Sequence, residues 1–192
     1  MSRNVKHLLT VALLVVVGTV ITYFVLTAVY QLPVAASEEA GPIDQLFNIH
    51  FWFISFLFAL IVGLMLYSIV VFRRKPGDEQ GADFHSHTTL EIVWTIIPLV
   101  IVIGLGIFSA IMLVNITEAR PNEMEVEVKG RQWSWLFSYP EHEDIGFSST
   151  LVLPVDQTIR LRMTTDDVLH SFWVPEFRVK QDLVPGQVTE LR

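Results

Sequence analysis

No cysteine occurs among the 192 residues. Within them there is therefore no disulfide, no thiolate metal ligand and no reactive thiol, although this says nothing about the redox state of the compartment. Charge is missing over long stretches as well: Leu8 to Tyr30, Gln45 to Phe72 and Ile92 to Thr117 contain no Asp, Glu, Lys or Arg. Each stretch exceeds the roughly 20 residues that cross a bilayer. With 52% hydrophobic residues and a positive mean hydropathy, the chain is too apolar for an ordinary soluble domain. Positive charge is scarce beyond the last stretch, where Glu118 to Arg192 carry thirteen acidic and eight basic residues, a net −5. Such a surface attracts cationic partners and repels nucleic acid. Internal repeats and low-complexity segments are absent.

Basic residues set the orientation. Arg73, Arg74 and Lys75 follow the second apolar run directly, and Arg3 and Lys6 precede the first. Both clusters lie inside by the positive-inside rule, so residues 31 to 44 and everything after Glu118 are expected on the outer face of a bacterial cytoplasmic membrane. The first run has two readings. Val34-Ala35-Ala36 before Ser37 resembles a signal-peptidase site, whereas 23 apolar residues suit an uncleaved anchor, so residues 1–36 are a signal peptide or an N-terminal anchor.

Residues 37–118 form a transmembrane hairpin with spans at about 45–72 and 92–117. Pro76-Gly77-Asp78 is its turn signal, and His85 and His87 sit at a spacing that fits a polar turn better than a zinc site. Pro98 falls in the first two turns of the last span, and Gly104 and Gly106 permit close approach of another helix. Two helices cannot cover each other in lipid, so the chain reads as a subunit.

After Pro121 the hydrophobic period becomes two. Met124, Val126 and Val128 alternate with Glu125, Glu127 and Lys129, and Ile159, Leu161 and Met163 alternate with Arg160, Arg162 and Thr164. With Leu151 to Leu153 and Leu169 to Val174 also strand-like, residues 119–192 are expected to form an antiparallel β-sandwich. Closed sandwiches of this type use about 100 residues, so the sheet is expected to lack its last strands here.

The motifs L-E-I-V-W-T-I-I-P, G-R-Q-W-S-W, D-V-L-H-S-F-W-V-P and K-Q-D-L-V-P-G follow this hairpin in order. From about Asp44 to Arg192 the chain resembles subunit II of the haem–copper cytochrome c oxidases. That resemblance implies an all-β, cupredoxin-like Greek-key domain with a dinuclear copper centre, Cu-A, which takes electrons from cytochrome c and passes them to haem in subunit I. His170 matches the first histidine ligand; its bland alternative is a hydrogen-bonded strand histidine. Phe172 and Trp173 beside it are expected to exclude water. The family completes the centre with C-x3-C-x3-H-x2-M, which these residues do not contain. The expectation is a chain truncated before that motif, binding no Cu-A by itself.

The resemblance assigns further roles. Trp133 matches the aromatic residue that admits the electron, although Trp133 and Trp135 are read as sharing one face and one of them as a core residue. Asp166 and Asp167 match a cytochrome c docking surface, against the alternative of a solvated turn. Glu91 matches the mouth of a proton-uptake channel into subunit I, against simple capping of a helix dipole. Oxidase subunits I and III and cytochrome c are the implied partners. The leading function is the electron-input subunit of a proton-pumping oxidase that reduces O2; the alternative is a copper-free structural subunit of a quinol oxidase.

Overall fold

The computed structural model describes residues 2–74, 76–77 and 86–192. Lys75, Asp78 and His85, invoked above for the loop, lie outside the described residues. The chain divides into two compact units, one of residues 1–31 and 44–108, the other of residues 32–43 and 109–192.

Three helices carry the apolar runs: α1 (Arg3–Val29), α2 (Ala40–Val71) and α3 (Thr88–Thr117). All three are long and apolar enough to cross a membrane. The Ser2 hydroxyl accepts the Val5 N–H at 3.4 Å and caps α1. His87 Nδ1 takes the Leu90 N–H at 3.3 Å at the start of α3, so this histidine serves as a helix cap. Because α3 begins at Thr88, Pro98 lies about three turns inside it, one turn deeper than the charge-free run implied. Gly104 and Gly106 face open space, where an added Cβ would meet nothing within 4 Å.

The β unit has a five-stranded sheet and a separate hairpin. The sheet contains β1 (Met124–Arg131), β2 (Ser134–Ser138), β3 (Phe147–Ser148), β4 (Ile159–Thr165) and β7 (Thr189–Leu191), ordered β3-β2-β1-β4-β7. The hairpin pairs β5 (His170–Val174) with β6 (Val179–Leu183). Val126, Val128, Phe137, Leu161 and Met163 of the sheet form one buried cluster with Tyr139, which follows β2, and with Phe172 and Leu183 of the hairpin. The alternation in β1 and β4 produces this directly: the apolar set faces the hairpin and the charged set faces outward.

Two details depart from the sequence reading. The β1–β2, β2–β3, β4–β7 and β5–β6 pairs are antiparallel, but β1 and β4 run parallel, with Val126 opposite Leu161 and Val128 opposite Met163. Residues Leu151 to Leu153 form no strand; Leu151 and Leu153 pack on the core from an irregular segment. Their alternation reflects one-sided burial without a pairing partner.

The outer face of the parallel pair carries a ladder of charges. Glu125 lies 3.1 Å from Arg162 and 3.6 Å from Arg160, Arg160 also pairs with Glu190, and Arg192 reaches Glu123 at 3.0 Å. The half-exposed pairs of Arg160 and Arg162 contribute little individually, about 0–1 kcal/mol. They do favour the same register as the apolar face.

Candidate functional site

His170 opens β5, opposite Leu183 of β6. Its ring lies edge-on to Trp135 with centroids 5.8 Å apart. On the other side it meets the β1 backbone at Gly130, where an added Cβ would sit 3.1 Å from both His170 Cγ and Leu183 Cδ2. A side chain at residue 130 would therefore push on the imidazole. The ring is held from three sides before any ligand is considered.

His170 Nε2 lies 2.7 Å from Asp167 Oδ1. The same carboxylate accepts the Gln132 N–H at 2.7 Å through Oδ2, and the Val168 N–H at 2.7 Å and the Thr165 hydroxyl at 2.8 Å through Oδ1. These donors, the Gln132 amide foremost and the His170 ring next, hold the Asp167 carboxyl far below the usual carboxylate range. Asp167 is therefore an ionised acceptor, and in the neutral tautomer that donates to it Nε2 carries the proton. Nδ1 is left as the lone-pair nitrogen, the state in which a histidine ligates a metal with a carboxylate behind it.

The two aspartates consequently separate. Asp167 turns inward onto Gln132 and His170, while Asp166 points out and pairs with Lys129 at 2.5 Å and Arg131 at 3.6 Å. The tryptophans separate too. β2 begins at Ser134, so Trp133 sits in the turn and is 93% exposed, whereas Trp135 packs on Phe172 with centroids 5.5 Å apart. They do not share a face as the two-residue spacing implied, because the turn interrupts the alternation between them. Trp173 also faces away from the core and is largely exposed, with Lys180 Nζ 5.6 Å from its ring, so shielding of this strand falls to buried Phe172 alone. Glu91 belongs to the helical unit, in the first turn of α3 and exposed.

Sequence reasoning missed Gly130, Gln132, Trp135 and Thr165 as supports of His170. The Asp-x-x-His spacing of Asp167 and His170 was the available signal for the carboxylate. The others come from β1, the β1–β2 turn, β2 and β4 and acquire meaning only through strand pairing.

Among the described residues no group of three or more His, Cys, Asp or Glu is placed to hold a metal ion. His170 offers one imidazole nitrogen, and Asp167 beside it is already engaged. One such donor does not build a dinuclear copper centre.

Residues 25–112 match the family model for "Cytochrome C oxidase subunit II, transmembrane domain", and residues 148–192 match that for "Cytochrome C oxidase subunit II, periplasmic domain". The second range includes His170, Asp166 and Asp167; Gly130, Trp133 and Trp135 fall between the two. Similar curated proteins are the cytochrome c oxidase subunit 2 of Synechocystis sp., 31% identical over 83% of this chain and 62% of that protein, and that of Cereibacter sphaeroides, 30% identical over 80% and 64%. A third, from Thermostichus vulcanus, is 29% identical over 91% and 69%. The chain thus spans about two thirds of the length of these relatives. Among solved structures, the periplasmic domain of subunit II of cytochrome oxidase from Bradyrhizobium japonicum is similar, with 28% identity, 38% of this chain and 64% of that chain covered, and a TM-score of 0.33. With both parts of the family matched in order and three apolar helices ahead of the periplasmic part, this membrane protein belongs to the cytochrome c oxidase subunit II family.

Proposed function

We propose that this chain is the electron-input subunit of a cytochrome c oxidase, and that His170 Nδ1 is one ligand of a copper centre whose other ligands come from outside these 192 residues. The observation that carries the proposal is the pairing of His170 Nε2 with ionised Asp167 at 2.7 Å, which orients the ring and leaves Nδ1 as the nitrogen turned to a metal. Copper would supply the one-electron redox chemistry. The chain's own part is to hold the imidazole between Gly130, Trp135 and Leu183, and to keep water from one side with Phe172.

The remaining roles follow from exposure. Trp133, projecting from the β1–β2 turn, is positioned to meet a soluble donor, for which cytochrome c is the proposed partner. Docking rests on the acidic excess of the domain, with Asp166 its exposed member near this turn; Asp167 serves His170 instead. Oxidase subunits I and III are the proposed neighbours of the largely uncovered helices, with Glu91 at the mouth of a proton path into subunit I.

The test uses the complete native oxidase purified from its membrane, with and without His170→Asn. The expected result is subunit-bound copper in the wild type, and in the variant a loss of cytochrome c oxidation of at least about a hundredfold, the scale of a missing ligand shell. O2 reduction driven by a small reductant that reaches the haem directly should persist. A copper-free wild-type complex that oxidises quinol, at a rate indifferent to His170→Asn, would establish the structural-subunit alternative.

A further inference from the structure

We propose that α1 is retained in the mature protein as a third transmembrane helix packed along α2, and that the segment after it is a strap docked on the β unit. Two sets of contacts, one in each unit, carry this independently. Neither rests on the copper reading.

The first set is the seam between α1 and α2. On α2, Ser55, Ala59 and Gly63 recur every four residues, a row of small side chains along one helix face. Ser55 and Ala59 are buried, as are Val15 and Thr19 on α1. The backbones come so close that a Cβ added at Gly18 would lie 3.1 Å from Ala59 Cβ. Thr19 turns its hydroxyl back to the Val15 carbonyl at 2.7 Å, which satisfies it inside the seam. Polar contacts close both ends. The Tyr23 hydroxyl donates to Asn48 Oδ1 at 2.5 Å and its ring stacks on Trp52 at 4.0 Å; at the other end His7 Nδ1 meets the Tyr67 hydroxyl at 2.6 Å. A leader peptide needs hydrophobicity and a cleavage site. It does not need side-chain bonds matched to the helix that follows.

The second set concerns the cleavage site itself. A peptidase cutting after Val34-Ala35-Ala36 needs that segment extended and accessible, and these three residues are exposed and outside any helix or strand; what distinguishes the segment is its set of bonds to the β unit. Here the Ala36 N–H donates to the Glu176 carbonyl at 2.9 Å, and the Ser37 hydroxyl donates to the Phe177 carbonyl at 3.3 Å. The Arg178 guanidinium donates to the Pro33 carbonyl at 2.7 Å and to the Pro175 carbonyl at 2.6 Å. Just beyond, Glu39 pairs with Arg120 at 3.0 Å and Ala40 is fully buried. The strap thus occupies the short 3-10 turn Pro175–Phe177, the connection between β5 and β6. Cutting after Ala36 would release two of the three bonds that join the strap to the turn after the His170 strand, those of Ala36 and Pro33. The family's transmembrane match begins at residue 25, inside α1.

The test begins with the full chain expressed in a bacterial host, purified from membranes, and its N-terminus read by intact mass and terminal peptide. An N-terminus at Met1 or Ser2 is expected; one at Ser37 overturns the proposal. The packing is then tested with Gly18→Cys/Ala59→Cys, the sole thiols in an otherwise cysteine-free chain. Oxidation should remove two hydrogens and join the α1 and α2 peptides after proteolysis, since the two Cβ positions lie 3.1 Å apart and need move only a few tenths of an ångström outward to reach disulfide spacing. Leu13→Cys/Ala59→Cys, with Leu13 on the exposed side of α1, should not join. Absence of the first link in an intact chain, or equal linkage in both variants, overturns the packed arrangement.

Discussion

In the β unit, Val126, Met163 and Leu183 are sealed from solvent, whereas in α3 Val100, Val102 and Ile107 each expose more than half of their surface. The residue types are interchangeable between the two lists, so composition alone does not decide which are buried. Period does: alternation by two gives β1 and β4 one dry face, while α3 is apolar all round and buries nothing within this chain. The β unit is organised against water. The helical unit is organised for lipid and for neighbouring chains, and among the described residues its close inter-helix contacts run along α1 and α2.

The contrast is sharpest for large-to-small changes in the core. Met163→Ala should destabilise the β unit by about 2–5 kcal/mol, combining lost transfer energy with a cavity between the two layers. Urea-dependent proteolysis of the full chain in detergent reads this as an earlier midpoint for cleavage between residues 124 and 192. An unchanged midpoint would mean that the layers are not packed as described.

Asp167→Asn tests the electrostatic side of the same unit. The folded carboxyl titrates well below its unfolded value of about 3.9, so its contribution is fully present above that value and is lost as pH falls through it toward the depressed folded value. Wild-type protein should lose resistance to proteolysis as pH falls from about 5 to 3. The Asn variant should start lower at neutral pH and show a flatter decline. Equal slopes would remove the assigned hydrogen bonds.

Val100→Leu on α3 should have the smallest effect. Both side chains favour the membrane interior by about 0.3–0.6 kcal/mol, so the swap changes insertion by a few tenths at most. A glycosylation-based insertion assay that showed a large change would mean this face is packed against protein in the assay and not exposed to lipid.

The three helices were legible because a charge-free run longer than a bilayer has few other uses. Their ends were less so: α2 starts at Ala40, before the run, because the Ser37 hydroxyl accepts the Ala40 N–H at 3.1 Å and starts the helix outside the apolar stretch. In the β unit β1 and β4 were legible from strict alternation. Their parallel pairing was not, since it depends on the chain passing through β2 and β3 before returning. β6 was missed, as Val-Lys-Gln-Asp-Leu mixes polar residues into a strand that buries chiefly Leu183. At the site, His170 was visible through its flanking motif. Asp167 was visible as a residue but its partners were not, because nothing local announces that the Gln132 amide, 35 residues away, will need its oxygen.

One carboxylate grips both the backbone beside Trp133 and the ring of His170. The turn and the imidazole are therefore two arms of one lever with Asp167 as the fulcrum. Removing that one carboxylate would free the turn and the ring together.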